Sequence, residues 1–325
     1  MTETAATMEP GLSVGGKTSR QRPEPAYTTR GGRGRMFVGL AEAVLAQYPV
    51  TLRRGHVQLV FTSPPFPLNR KKRYGNFKGQ AYISWLASFA PILKDYLAPR
   101  GSIVIEMGNA WVPGEPVMST LALKALLAFQ EASGLHLCQE FICYNPARLP
   151  GPAQWVTVER IRVKDSYTRL WWMSPTPGPK ANNRRVLREY SSSMLDLLRK
   201  GRYNSGRRPS EHVIGEQSFF KDNGGAIPPN VLTVSNTVAG DDYQRYCRRL
   251  GVTPHPSRMP MEVAEFFIKF LTDPDDLVLD PFAGSNVTGA AAEKLGRRWI
   301  SIEAVPEYVT ASKGRFAVFS ADGAR

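Results

Sequence analysis

Short apolar runs alternate along the chain with segments of helical period. Met36-Phe37-Val38 reads as a short strand, and Leu40, Val44 and Leu45 as one face of a helix. Val57-Gln58-Leu59-Val60-Phe61-Thr62 is a strongly apolar strand that runs into Ser63-Pro64-Pro65-Phe66, where two consecutive prolines end the ladder. Ile83, Leu86, Phe89, Ala90 and Leu93 recur at helical spacing, and Pro91 is expected to kink or divide that helix. Pro99-Arg100-Gly101 turns the chain into the strand Ser102-Ile103-Val104-Ile105-Glu106-Met107, and Met118 through Phe129 reads as a further helix. Glu140 to Tyr144 and Thr168 to Met173 read as strands. Farther on, Pro260 to Leu271 places Val263, Phe266, Phe267 and Phe270 on one side of a helix that stops at Asp273-Pro274-Asp275-Asp276. Leu277 to Asp280 is a buried strand, Gly289 to Leu295 a helix, and Trp299 to Glu303 the next strand. This alternation predicts an α/β fold, a largely parallel sheet with helices on both faces. Such a sheet keeps its ligands at the carboxyl ends of its strands, which is where Ser63 to Phe66 fall.

Composition adds the class of partner. The chain has 325 residues, 42% of them hydrophobic, with six Trp and fifteen Phe, which is enough for a real core and excludes wholesale disorder. A net charge of +14 predicts an anionic partner, either nucleic acid or an acidic membrane surface. Three Cys (Cys138, Cys143 and Cys247) and four scattered His argue against a disulfide scaffold and against a bound metal, and point to a reducing compartment. With no signal-peptide pattern and no long apolar run, the expectation is a soluble cytoplasmic protein. Residues 1–34 are rich in Thr, Gly, Pro and Arg and read as a flexible basic segment. Residues 180 to 208 carry nine basic residues against two acidic ones. That segment is either a solvated face or a nucleic-acid contact region.

Two segments carry candidate chemistry. From Asp280 to Glu303 the chain reads strand, Gly-containing loop, helix, strand, with an acid at the end of the second strand. A tight loop there brings backbone N–H groups near a ligand, and the carboxylate can accept both hydroxyls of a ribose. Only Gly284 sits in this loop, so the three-glycine dinucleotide fingerprint is absent. An adenosine-bearing ligand without a pyrophosphate, such as S-adenosylmethionine, fits better, and an ordinary βαβ turn is the alternative. Thr62 to Phe66 offers a hydroxyl, carbonyls and an aromatic face, the groups that hold a planar base with an exocyclic amine. The alternative there is a structural Pro-Pro turn packed by Phe66. No Cys follows a Pro in a plausible catalytic loop, so a Pro-Cys nucleophile is absent from the candidates.

From Pro25 to Phe316 the chain resembles the amino-group DNA methyltransferases of the β arrangement, and among them the PvuII-type cytosine-N4 methyltransferases. The resemblance rests on Ala26-Tyr27-Thr28-Thr29, Thr62 to Phe66, Asn145 to Pro150, Ile161-Arg162-Val163-Lys164-Asp165, Ser218 to Asn230, His255-Pro256-Ser257-Arg258-Met259-Pro260 and Phe282 to Gly289. It implies a Rossmann-like S-adenosylmethionine-dependent methyltransferase fold with circularly permuted motifs. Residues 35–175 would form the catalytic half, 176–252 an inserted target-recognition region and 253–325 the cofactor-binding half. Ser63, Pro64, Pro65 and Phe66 would hold the flipped cytosine. Asp280, Phe282, Gly284 and Ser285 would bind the cofactor, Glu303 its ribose, and His255 with Tyr27 and Thr28 would close over it. Phosphate contacts are expected from Lys180, Arg184, Arg185, Arg188, Arg207 and Arg208. The implied partners are duplex DNA and a cognate restriction endonuclease; adenine-N6 methylation and a non-catalytic DNA-binding protein are the competing functions. Two positions depart from the pattern. Gly39-Leu40 stands where Gly-Asp is common, so Glu42 is the candidate replacement for that carboxylate, and Ala283 stands where relatives carry Gly.

Overall fold

The computed structural model describes residues 23–47, 52–67, 77–201, 205–215, 219–234 and 241–316. Residues 1–22 of the basic segment, Arg202 and Ser218 lie outside them. The strands that form the main sheet are β1 (Tyr27–Thr28), β2 (Gly34–Val38), β3 (Val57–Thr62), β4 (Leu97–Gly108), β5 (His136–Tyr144), β6 (Tyr167–Ser174), β7 (Val231–Thr233), β8 (Leu277–Asp280) and β9 (Arg298–Glu303). They pair in the order β1-β2-β9-β8-β3-β4-β6-β5-β7. Pairing is parallel from β2 through β4 and between β5 and β7. β6 runs antiparallel to both β4 and β5, and β1 antiparallel to β2. The mostly parallel sheet expected from the alternation is therefore present, with one reversed strand inside it and one at its edge.

Both faces are covered, which explains the near-continuous apolar strands. On one face Val57, Val60, Ile103, Ile105 and Leu279 pack under α1 (Ala41–Ala46), α2 (Gly79–Tyr96) and α3 (Leu121–Ser133). On the other, Leu59, Phe61, Val104 and Val278 meet Val263 and Phe267 of α6 (Met261–Leu271), Val287 and Ala291 of α7 (Val287–Lys294) and Val309 of α8 (Pro306–Ser312). Between β6 and α6 lie α4 (Ser192–Lys200) and α5 (Asp242–Leu250).

Three local expectations are corrected. Pro91 lies inside one continuous α2. The buried Leu86, Phe89, Ala90, Leu93 and Tyr96 hold both halves on the same apolar face, and this packing outweighs the hydrogen bond that proline cannot donate. Met118 and Ser119 form a two-residue strand against Ala110–Trp111, so α3 begins only at Leu121. The last part of the segment read as flexible is an edge strand, in which Tyr27 and Thr28 pair with Met36 and Arg35. Arg33 donates to Asp275 Oδ1 and to the Gly296 carbonyl, each at 2.8 Å. A side chain at Gly34 would overlap the Trp299 ring, so the sequence Arg33-Gly34 is what lets this edge close.

The expected insertion is also partly built into the core. β7 and α5 fall within 176–252, yet β7 extends the main sheet beside β5, and Tyr243 and Cys247 of α5 are buried with Ala311.

Candidate active site

The carboxyl ends of β3 and β8 are joined by one buried carboxylate. Thr62 Oγ1 donates to Asp280 Oδ1 at 2.7 Å, and the Phe282 backbone N–H donates to the same oxygen at 3.1 Å. Asp280 is 4% exposed, and burial pushes its pKa up to about 6. Over this junction opens a cavity of about 730 Å³. Ser63, Pro64, Pro65 and Phe66 line it on one side; His255, Phe282, Gly284, Ser285 and Glu303 line it on the other, with Asp280 between them.

The Pro-Pro turn is fixed from below. Tyr82 Oη donates to the Pro65 carbonyl at 2.8 Å. The Phe66 ring lies where a Cβ on Gly108 would stand, within 2.6 Å, so β4 must carry glycine at the point where the ring crosses it. Two residues upstream on β4, Glu106 faces the cavity and is 7% exposed. Thr168 Oγ1 donates to its Oε1 at 2.8 Å, and Ser63 hydrogen-bonds the same carboxylate. Burial raises the Glu106 pKa, and those two hydroxyls and the Arg148 charge oppose the shift. With the Ser63 proton directed at Glu106, the Oγ lone pairs remain for a donor in the cavity. Cys143, at the end of β5, also lines this wall. Burial and then the Glu106 charge push its thiol up to about 12.

The opposite wall is a glycine turn closed by an acid. Gly284 has φ +52°, and a Cβ on it would sit 3.0 Å from His255 Nε2. Both backbone sign and close approach require glycine there. His255 is held by its own N–H, which donates to Tyr243 Oη at 2.9 Å, and by edge contact of its ring with Tyr308 at 4.6 Å. Glu303 accepts from the Gly284 N–H at 2.8 Å and from the Val305 N–H at 2.9 Å, and burial raises its pKa. Ser285 is tied down by Arg315, which donates to its carbonyl at 2.6 Å and to its hydroxyl at 2.9 Å. Phe282 packs on Trp85 and Phe89 of α2 at 5.5 and 5.1 Å, giving the cavity an aromatic side.

Residues 57–314 match the DNA methylase family. The chain belongs to that family. It is 43% identical over 295 residues to the type II methyltransferase M.PvuII of Proteus hauseri, an alignment covering 90% of this chain and 86% of the relative. A solved structure titled PvuII DNA methyltransferase (cytosine-N4-specific) matches with TM-score 0.72 at 37% identity, over 90% of this chain and 89% of that one. A putative DNA modification methylase from Thermus thermophilus, solved with S-adenosyl-L-methionine, matches with TM-score 0.53 at 22% identity over 88% of this chain and 93% of that one, a likeness of fold.

In this DNA methylase Ser63 to Phe66, His255, Asp280, Phe282, Gly284, Ser285 and Glu303 line one cavity, and two groups of the expected residues do not join them. Tyr27 and Thr28 are absent from the cavity lining. Tyr27 stands behind the glycine turn, where its hydroxyl pairs with Ser312 Oγ at 2.8 Å and accepts from Asn286 Nδ2 at 3.1 Å, and its ring packs on Trp299 and Phe316. Thr28 is exposed on the edge strand. The second group is the basic cluster. Lys180 pairs with Asp273 and Asp276 at 2.6 Å each, its N–H donates to the Arg100 carbonyl, and Arg185 pairs with Asp273 and donates to the Thr272 carbonyl. Arg100 and Asp273 to Asp276 lie at the amino ends of β4 and β8, opposite the cavity. Lys180 and Arg185 therefore anchor this segment to the far end of the sheet, and Arg184 adjoins the anchor. Arg188 exchanges backbone hydrogen bonds with Ala226, and Arg207 lies 3.6 Å from Glu211 in a small hairpin that also carries Arg208.

Sequence reasoning missed Glu106, Cys143, Arg148, Thr168 and the Trp85 wall, all of which line the cavity. The available signals were an acid inside the apolar run Ile103 to Met107 and the position of Arg148 within the Asn145 to Pro150 motif. Gly39, Leu40 and Glu42 also line the cavity.

Proposed function

We propose that this DNA methylase transfers a methyl group from S-adenosylmethionine to the exocyclic N4 amine of a cytosine turned out of duplex DNA, as the modifying enzyme of a restriction system. The observation that carries the reading is the shared cavity, in which Ser63, oriented by Glu106, stands across the Thr62–Asp280 junction from Gly284 and Glu303.

The residues fit the cofactor. The side-chain-free turn at Gly284 leaves room between His255 and the backbone, Phe282 offers an apolar face, and the Glu303 carboxylate can accept ribose hydroxyls. When bound, S-adenosylmethionine supplies an electrophilic methyl group on a sulfonium. The protein's own part is to place the amine. The N4 lone pair is delocalised into the ring, and acceptors at Ser63 Oγ and the Pro64 carbonyl favour a more tetrahedral nitrogen as the new bond forms. Phe66 replaces part of the stacking lost on flipping. A thiol held up near 12 leaves Cys143 protonated at neutral pH, which disfavours attack on the ring and supports direct transfer. Incubation with mixed-sequence duplex and labelled cofactor, followed by nucleoside mass spectrometry and mapping of the modified position, is expected to give N4-methylcytosine. Only N6-methyladenine or C5-methylcytosine among the products would refute the proposal.

Two further outcomes follow from the same reading. Gly284→Ala is expected to weaken S-adenosylmethionine binding by roughly tenfold, because an L-residue at this φ costs about 1–2 kcal/mol and its Cβ presses on a fixed imidazole. Calorimetry on the folded variant tests it, and unchanged affinity would move the cofactor away from this turn. For DNA, Arg188, Arg207 and Arg208 remain proposed phosphate contacts, joined by the exposed Arg160. Each phosphate contact removed flattens the log-log salt dependence of duplex binding by roughly 0.9. Arg160→Ala is expected to do so, whereas Arg185→Ala is expected to lower the melting temperature and leave the slope alone. The opposite pattern in an anisotropy salt series would put the duplex at the other end of the sheet.

A further inference from the structure

The connection between β5 and β6 leaves the rim of the cavity and returns to it: Asn145, Arg148, Ser166 and Thr168 all line the cavity wall. Val158, Ile161 and Val163 of this connection are exposed apolar residues, and so is Leu149, 83% exposed, which directly follows the cavity-lining Arg148. Single exposed leucines are common on protein surfaces, so exposure alone says little. Here the backbone on either side of the leucine is held in place. Asn145 N–H donates to the Ser166 carbonyl at 2.8 Å, Asn145 Oδ1 accepts from the Ala147 N–H at 3.0 Å, and the Asn145 carbonyl accepts from the Arg148 N–H at 3.2 Å. Lys164 Nζ donates to the Pro146 and Arg148 carbonyls at 2.8 and 3.3 Å, and the Asp165 N–H donates to the Gly151 carbonyl at 3.1 Å. The turn thus presents its apolar tip rigidly, at low entropic cost for any partner that receives it.

The surroundings say which partner. Arg148 precedes the tip and Lys164 Nζ is bonded to the carbonyls of Pro146 and Arg148 just before it, and the whole connection is net basic, with Arg148, Arg160, Arg162 and Lys164 against Glu159 and Asp165. Positive charge beside the tip attracts phosphates, and an apolar tip next to it fits between stacked bases. A base drawn into the cavity leaves a gap in the duplex beside the cavity rim, where Leu149 stands.

We infer that Leu149 is the wedge that enters the base stack when the target base leaves it. The inference rests on the functional reading above and adds to it a positioning residue outside the cavity. Its side chain lowers the energy of the flipped state by occupying the gap, so its value depends on whether the target base must be unpaired first.

That dependence supplies the test. The probe is a short duplex carrying the site mapped by the nucleoside experiment, made in two forms: fully paired, and with an abasic position opposite the target. Single-turnover rates are measured with the full chain. Leu149→Ala is expected to slow methylation of the paired duplex by roughly tenfold and to recover most of that loss on the abasic duplex, where flipping costs little. Leu149→Met, which keeps an apolar tip of similar reach, is expected to restore the paired rate. Equal losses on both duplexes, or no loss on the paired one, would overturn the wedge. If the unmutated protein makes no N4-methylcytosine on either duplex, it is the functional reading that fails, and the wedge with it.

Discussion

Ser63→Ala is expected to slow methyl transfer in a single turnover by on the order of a hundredfold, the scale seen when a donor or acceptor aimed at a transition state is removed. Ser63 hydrogen-bonds Glu106, which also accepts from Thr168 Oγ1 at 2.8 Å. Its proton is therefore committed to the carboxylate, and its lone pairs face the cavity. An acceptor held this way strengthens its bond to the amine as the nitrogen becomes tetrahedral and positive, so its loss appears in the chemical rate. The Pro64 carbonyl remains as a second acceptor, hence a large loss and not a total one. The Pro65 carbonyl is already used by Tyr82. Affinity for DNA and for S-adenosylmethionine is expected to change little. A variant with a normal single-turnover rate and weakened duplex binding would show that Ser63 only positions the base. Protonation of Glu106 turns one of its acceptor oxygens into a donor and weakens its hold on the Ser63 proton. The rate is therefore expected to fall on acidification, beginning above the usual carboxylate range because burial raises the Glu106 pKa. Glu106→Gln is expected to lose this acid limb, and a limb that persists in the variant would assign it to another group.

What the sequence disclosed and what it hid separate along one physical line. Ser63 to Phe66 and Asp280 to Glu303 were legible because each is a local event: an apolar strand ends, and the next residues must lie at its carboxyl end. That rule placed both segments at the ligand end of the sheet, while His255 on the second wall came only from the family resemblance. Glu106 and Thr168 belong to strands that meet only through the antiparallel pairing of β4 with β6, where Gly108 stands opposite Thr168. Nothing local announces a reversed strand inside a parallel sheet, so the carboxylate that orients Ser63 was read as part of a buried run. The pairing of Lys180 and Arg185 was hidden for the same reason. Charge density is visible in sequence, but which end of the sheet it reaches depends on Asp273 and Asp276, more than eighty residues away. Tyr27 shows the converse: its motif was recognised, and its side chain stands behind the Gly284 turn, bonded to Asn286, and does not line the cavity.

Glu303→Ala is expected to produce the largest loss of cofactor affinity, a hundredfold or more. A carboxylate accepting from two ribose hydroxyls makes charge-assisted bonds worth about 1.5–3 kcal/mol each. Glu303 does a second task that the sequence did not reveal. It holds the glycine turn in place through the Gly284 N–H at 2.8 Å and the start of the next loop through the Val305 N–H at 2.9 Å. A carboxylate has about four acceptor positions, so it can serve these two donors and still receive the ribose. Alanine removes the ribose acceptor and frees the turn together. Glu303→Gln keeps one carbonyl oxygen and is expected to fall between wild type and alanine. Burial raises the Glu303 pKa, so cofactor affinity is expected to weaken as the pH falls, starting above the normal range for a glutamate. The ionised form binds, and protonation converts one acceptor into a donor that the ribose does not need. Calorimetric titration of S-adenosylmethionine into the three proteins across a pH series measures both effects, with duplex binding as the control that should hardly move. Equal affinity in wild type and Glu303→Ala would remove Glu303 from the cofactor site and leave it only its role in holding the Gly284 turn.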